Sequence, residues 1–372
     1  MKATKEKHHD VKRFINISDT HFGIRSNSNE WVDIHRSYFF DWFIPLLKKN
    51  YQPGDALMHN GDVFDSRQSI NLNVMNMGLE IFEAISKIMP VYVICGNHDI
   101  YRKNTNAINS LKMFKWLDNV HVYEEPIILE VNGGKTDILL MPWRATKEQE
   151  QETVYSNTAD YLFCHTDMQG LKFNRNVKVD EGINIETLKK FKRVYSGHIH
   201  YAQNAGNVRM IGSPYQLTRS DIGNAKSVWF IDFTNDTEDN IVNDFTPKFI
   251  KVNLDKLLEL RFKRAEEILE NNFVDILVDA ITTVNFPFSS FLDLFSNIKY
   301  RKLNYIITST EDNDDWLVEE LEGGDETIDL PSLVNLYIDS LSYNEGIKTR
   351  LKEVSKTLYI DTLKNSNEET VG

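Results

Sequence analysis

Three short apolar runs, RFINIS (13–18), DALMHN (55–60) and VYVIC (91–95), are each followed at once by a cluster of Asp, Asn and His. The clusters are Asp19-Thr20-His21, Gly61-Asp62-Val63-Phe64-Asp65 and Gly96-Asn97-His98-Asp99. This repeated grammar constrains the fold more than any other feature of the chain. Short apolar runs bounded by turn-forming residues read as buried strands, and open α/β sheets place their ligand crevices beyond the carboxyl ends of such strands. Two later runs end the same way. DYLFC (160–164) leads into His165, and RVYS (193–196) leads through Gly197 to His198 and His200. Five of the ten histidines therefore stand at strand ends. In an extended segment, residues two apart share a face, so His198 and His200 are expected to point the same way.

Further strands are expected at DILLMPW (137–143), VRMIG (208–212) and SVWFIDF (227–233), with amphipathic helices over 31–49, 71–88, 106–117 and 185–191. The alternation implies an α/β domain over 13–246, with some antiparallel pairing after residue 119. Texture changes near 246–248. Residues 247–310 read as a small α+β module, with KFIKVNLD and LNYIIT strand-like, 272–278 strand-like, 255–271 helical and 286–298 a Pro-interrupted apolar segment. Residues 311–330 are an acidic linker, and 331–372 carry two helical patterns. Their apolar stripes (Leu333, Leu336, Tyr337, Leu341, and Ile347, Leu351, Val354, Leu358) call for burial against something. Residues 1–12 are a polar lead-in, expected to be disordered, with no apolar stretch of the secretory kind and no role for His8 or His9.

No apolar run approaches the roughly 18 residues of a membrane span. Only Cys95 and Cys164 occur, which argues against a disulfide framework and fits a reducing cytoplasm. The net charge of −13 argues against a simple basic patch for nucleic acid, but ten of the acids lie within 311–330 and leave the remainder close to neutral.

Taken together, Asp19, His21, Asp62, Asn97, His165, His198 and His200 make a mixed oxygen and nitrogen donor set without thiolate. Such a set suits Mn²⁺, Fe²⁺ or Zn²⁺ rather than Ca²⁺ or an iron–sulfur centre. Seven donors are too many for one ion with an open position and natural for two, a pairing that can clamp a phosphate and lower the pKa of a water between the ions. Asp62 is the expected bridge. His98 needs no ligand role and is placed to protonate a leaving oxygen, with Asp99 available to orient it.

The motifs DTH, GDVFD, GNHD, CH and GHIH, in this order, resemble those of the calcineurin-like metallophosphoesterases over about residues 13–235. The resemblance implies a four-layer β-sandwich flanked by helices, one metal held by Asp19, His21, Asp62 and His200, and a second by Asp62, Asn97, His165 and His198. GDVFDSRQ and CGNHDIY depart from the protein-phosphatase pattern. GDVFDSR, VICGNHDIYRKN and SGHIHYAQNAGNVRMIGSPYQLT are similar to the SbcD-type nuclease subunits of double-strand-break repair and recombination complexes, in particular their bacterial and phage branch, where Asp65 replaces a His of other relatives. That likeness implies a homodimeric, Mn²⁺-dependent (alternatively Mg²⁺, Fe²⁺ or Zn²⁺) 3′→5′ exonuclease and single-strand or hairpin endonuclease. It also implies a DNA-binding cap over 247–310 and docking of 331–364 on an SMC-like, SbcC-type ATPase. Faces near 71–88 and 106–117 are candidates for the dimer. Arg25, Arg67, Arg102, Lys103, Lys172, Arg175 and Lys178 are candidate contacts to DNA. The competing readings are a phosphatase or phosphodiesterase of small substrates, disfavoured by the long extension after residue 246, and a non-catalytic DNA-end tether, disfavoured by the complete donor set.

Overall fold

The computed structural model describes residues 2–102, 105–260, 262–279, 298–308, 338 and 346–355. The chain forms two compact units, Met1–Thr310 and Glu311–Gly372.

In the first unit, strands β2 (Arg13–Ile17), β3 (Asp55–His59), β4 (Val91–Ile94) and β7 (Val120–Tyr123) lie side by side in parallel. The antiparallel strands β14 (Ser227–Asp232) and β15 (Thr237–Val242) complete that sheet beside β2, giving the order β15-β14-β2-β3-β4-β7. A second sheet runs β1 (Thr4–Lys7), β8 (Ile127–Val131), β9 (Thr136–Met141), β10 (Tyr161–His165), β11 (Arg193–Gly197), β13 (Val208–Met210) and β12 (Gln203–Ala205). The pairing of β8 with β9 is antiparallel, while β9, β10, β11 and β13 are parallel.

Alternate residues of the central strands face opposite ways, and here both ways are buried. Phe14, Met58 and Tyr92 of the first sheet meet Leu140, Phe163 and Tyr195 of the second in one core. Ile15, Leu57 and Val93 turn outward under Phe39, Leu47, Ile81 and Phe82 of the helices. Leu139, Leu162 and Val194 turn outward under Val154 and Leu188. The result is helix, sheet, sheet, helix, a four-layer sandwich whose continuous apolar runs follow from burial on both faces.

Helices Asn29–Ser37 and Ile44–Asn50 join through a π-helical stretch, Tyr38–Phe43, over the expected 31–49, and Leu72–Ser86 occupies the expected 71–88. The Asn71 side chain caps the latter by accepting from the Asn73 amide at 2.8 Å. Two expectations are corrected. The stretch 106–117 is not one helix: β5 (Ile100–Arg102) and β6 (Thr105–Asn109) pair antiparallel, and only Ser110–Trp116 is helical, as a 3₁₀ helix. The buried Asn106 side chain donates from β6 to the carbonyls of Glu124 and Trp143. Nor is the polar lead-in disordered. β1 pairs with β8 through its backbone, and Lys5 bridges Glu130 and Asp137, while His9 contacts Glu130 and His8 the Tyr92 hydroxyl. Main-chain pairing and ion pairs hold an exposed edge that no apolar pattern announces.

Residues 249–308 contribute a separate sheet of parallel strands, β16 (Phe249–Asn253), β17 (Phe273–Asp279) and β18 (Lys302–Thr308). Helices Leu254–Glu259 and Phe262–Leu269 connect the first two, and Leu257, Leu269, Val274 and Ile276 share a small core. The module rests on the sandwich through Trp31, stacked on Phe273 at 5.8 Å, and through the Arg219–Asp275 ion pair. The segment 286–298 falls outside the described residues but for Ile298, and so do the linker 311–330 and Leu333, Leu336, Tyr337, Leu341 and Leu358 of the apolar stripes. In the second unit, residues 346–355 are helical, with Ile347, Leu351 and Val354 exposed.

Candidate metal centre

Because β2, β3 and β4 are parallel neighbours, and so are β10 and β11, the five motif loops leave the sandwich at carboxyl strand ends. Their backbones cross at close quarters. Asp19, His21, Asp62 and His198 all take positive φ, at 56°, 44°, 55° and 84°. Left-handed backbone at non-glycine residues costs on the order of 1–3 kcal/mol each and persists where surrounding bonds impose it. Those bonds are present. Asp19 and His21 donate their amides to the carbonyls of Gly61 and Asp62, at 3.0 and 3.1 Å. The His198 amide donates to the Asp19 carboxylate at 3.0 Å, and the His98 amide to Asp62 Oδ1 at 2.7 Å. A Cβ on Gly96 would stand 2.2 Å from Asp62 Oδ1, so only glycine allows this crossing.

Two groups of side chains converge. In one, His200 Nε2 lies 2.9 Å from His21 Nε2 and 3.9 Å from Asp19 Oδ1, and Asp62 Oδ2 is 3.8 Å from His21 Nε2. In the other, Asn97 Oδ1 lies 2.9 Å from His165 Nε2 and 2.8 Å from His198 Nδ1, with Asp62 Oδ2 3.2 Å from His165 Nε2. Asp62 thus faces both. Second ring nitrogens are engaged elsewhere: His165 Nδ1 donates to the Asn60 carbonyl at 2.7 Å, His21 Nδ1 to Asp65 at 3.1 Å, and His198 Nε2 to Asp167 at 3.2 Å. Such bonds fix the tautomer so that the remaining nitrogen presents a lone pair. In these tautomers His165 and His198 turn a lone pair toward Asn97 and Asp62, and His21 turns one toward His200 and Asp62, an arrangement that a divalent cation satisfies. Electrostatics agree. Burial opposes charge on His21 and His165, yet Asp65, Asp62 and Asp19 outweigh it for the first and Asp62 and Asp19 for the second, raising both to about 9. The pocket favours positive charge. The residues present fit one cation among Asp19, His21, Asp62 and His200, and another among Asp62, Asn97, His165 and His198.

The calcineurin-like phosphoesterase family profile matches residues 12–202, a span that holds all five motifs. The chain belongs to the calcineurin-like phosphoesterase family. It is therefore a metal-dependent phosphodiesterase, of a family whose enzymes use divalent cations. Exonuclease subunit 1 of Enterobacteria phage T4 is 28% identical over 239 residues, covering 63% of this chain and 68% of the phage protein. DNA double-strand break repair protein Mre11 of Sulfurisphaera tokodaii is 26% identical over 385 residues, covering 96% of this chain and 94% of its own. Among solved structures, an archaeal phosphodiesterase covers 62% of this chain and 99% of its own at 13% identity and a TM-score of 0.34.

In this phosphoesterase the sequence-based role of Asp99 needs correction. Its carboxylate does not touch His98. Oδ2 accepts from the amides of Asp62 and Gly96, both at 2.8 Å, and Oδ1 from the Val63 amide at 3.0 Å. Asp99 is thus a clamp on the loops that carry Asp62 and Asn97. Burial and the Asp62 carboxylate push it up to about 6 against the pull of those amides. His98 is oriented instead by the Asp65 carbonyl, 2.6 Å from Nδ1, and burial lowers its pKa. The expectation that one extended strand end carries both His198 and His200 also changes. β11 stops at Gly197 and the chain turns at His198, which is how the two imidazoles reach different groups.

No motif marks Asp167 or Asp65 as an orienting residue, although each follows a motif histidine or aspartate within three positions. Trp143, whose ring lies 4.9 Å from that of His198, carried no signal at all. Of the candidate DNA contacts, Arg67 reaches the centre, its Nη2 2.8 Å from the Asn97 amide. The opposite amide orientation would let Asn97 accept from Arg67 and turn its nitrogen toward the imidazoles. Arg25, Arg102, Lys172, Arg175 and Lys178 are exposed, and Lys103 lies outside the described residues. Among the described residues no helix is long and apolar enough to cross a membrane.

Proposed function

We propose that this phosphoesterase is the nuclease subunit of a DNA recombination and double-strand-break repair complex, using two divalent ions, Mn²⁺ first among them. The carrying observation is the pair of lone-pair clusters that share Asp62. When bound, ions at those positions supply Lewis acidity toward phosphate oxygens and a lowered pKa for water. The chain supplies the rest. Asp62 spans both positions, and the Asp99 clamp holds its loop. Arg67, at the rim beside Asn97, neutralises a non-bridging phosphate oxygen. His98, with Nδ1 donating to the Asp65 carbonyl, carries a proton on Nε2 to the departing sugar oxygen once the phosphate's charge offsets the effect of burial.

The similarity to a phage exonuclease subunit and a DNA double-strand break repair protein supports DNA as substrate; action in the cytoplasm and docking of 331–364 on an SMC-like ATPase belong to the same proposal. Of that segment the structure describes Ile338 and the helix at 346–355. Exposed apolar side chains on the expected dimer faces support a homodimer: Trp116 is 90% exposed, Leu72 71% and Ile108 58%. The module over 247–310 is assigned to DNA capping.

The test is a metal panel on single-stranded, hairpin and duplex-end DNA, with a small phosphodiester alongside. Mn²⁺-dependent degradation of DNA is expected. Hydrolysis of the small ester with DNA untouched would replace this reading with that of a small-substrate phosphodiesterase.

A further inference from the structure

We propose that Lys226 is a positioning residue of the metal centre, its buried ammonium fixing the backbone of His200 and so the imidazole on the Asp19 and His21 side. This rests on the two-ion reading above. Of the four histidines in the two groups, His21, His165 and His198 are oriented through their second ring nitrogen, by Asp65, the Asn60 carbonyl and Asp167. Among the described residues His200 has no such bond, and its ring nitrogen contacts are to His21 and Asp19. Its placement therefore depends on its main chain.

That main chain is held from one turn. Lys226 Nζ donates to the His200 carbonyl at 2.6 Å, and the Asn224 side chain makes two bonds to Ala202, accepting from its amide at 2.9 Å and donating to its carbonyl at 3.0 Å. Lys226 and its partner Asp221 are each 2% exposed in their side chains. Desolvating an ion pair this deeply is seldom more stabilising than apolar residues of equal volume, so a role for the pair in fixing geometry accounts for it better than stability does. Asp221 is itself immobilised, accepting from the amides of Leu217 and Thr218 at 2.9 and 3.0 Å. The same turn reaches the β16–β18 module through Arg219 on Asp275 and through Gln216, whose Oε1 accepts from the Phe249 amide at 2.7 Å. The grip on His200 is thus anchored at both ends.

The test is Mn²⁺ titration of the full chain, read by calorimetry and by the electron paramagnetic resonance of bound Mn²⁺, with His200→Ala marking which site belongs to His200. The wild type is expected to take two ions. Lys226→Met with Asp221→Asn removes both buried charges at once. It should weaken the His200 site by about 10- to 100-fold, the usual cost of losing an outer-shell support, and spare the other. Lys226→Arg, which keeps a cation for Asp221 and a donor near the carbonyl, should recover most of the loss. Should the double variant fail to fold, Lys226→Gln against Lys226→Arg makes the same comparison. Unchanged affinity at both sites, or equal loss at both, would overturn the inference. A wild type that binds fewer than two ions would instead overturn the two-ion reading and this inference with it.

Discussion

Asp99→Asn separates the role that adjacency in sequence suggests from the one the geometry assigns. The carboxylate accepts from the Asp62 and Gly96 amides on one oxygen and from the Val63 amide on the other, and the residue is 2% exposed. An Asn there turns an NH₂ toward at least one of these donors, losing one or two charge-assisted bonds and leaving buried amides unpaired. Hydrogen bonds to a charged group contribute roughly 1.5–3 kcal/mol each, so the variant should lose about 1.5–6 kcal/mol. It should also bind Mn²⁺ poorly, because the clamped loops carry Asp62 and Asn97. Urea unfolding of the full chain measures the first effect and metal analysis after gel filtration the second. A variant that unfolds at the wild-type urea concentration and retains its metal, yet no longer cleaves, would refute the clamp and return Asp99 to the role of orienting His98.

Other perturbations follow from the same contacts. His98→Ala should slow cleavage by about 10²- to 10⁴-fold while both ions stay bound, since no donor of either cluster is removed; metal analysis beside a nuclease assay checks this. Gly96→Ala places a Cβ 2.2 Å from Asp62 Oδ1 and 2.4 Å from its amide, so the variant should lose metal binding, seen as a melting temperature that no longer rises with added Mn²⁺. Burial raises Glu150 to about 7 from an ordinary 4.5. The folded chain therefore binds that proton more tightly than the unfolded one, and stability from this group is present below 4.5 and lost as pH rises to about 7. Glu150→Gln should flatten that slope and gain up to about 3 kcal/mol above neutral pH, measured by denaturant melts across pH.

The strands that carry the centre were legible because both their faces are buried, which leaves uninterrupted apolar runs such as DALMHN and DYLFC. β1 was not legible, since Thr4–Lys7 are exposed and its bonds are main-chain pairs to β8 with ion pairs from Lys5. The 106–117 stretch misled because Leu111 and Phe114, three apart and buried, mimic α-helical spacing that the chain follows only as the short 3₁₀ helix Ser110–Trp116. In the site, donor types could be read from strand-end motifs. What each second atom does could not, because Asp167 meets His198 and Lys226 meets His200 only after long excursions of the chain.

The same carboxylates explain why the strained loops stay in place. Asp19 contributes to the first cluster and also accepts the His198 amide, in the loop that feeds the second. Asp62 faces both clusters with Oδ2 and holds the His98 amide with Oδ1. Each of these carboxylates thus ties its own motif to another through the backbone, and would do so again through a bound cation. The positive φ angles at Asp19, Asp62 and His198 are the local cost of that crossing. A fold that meets this cost with amide bonds presents the donors already in position for metal, which is what a centre built for phosphate chemistry requires.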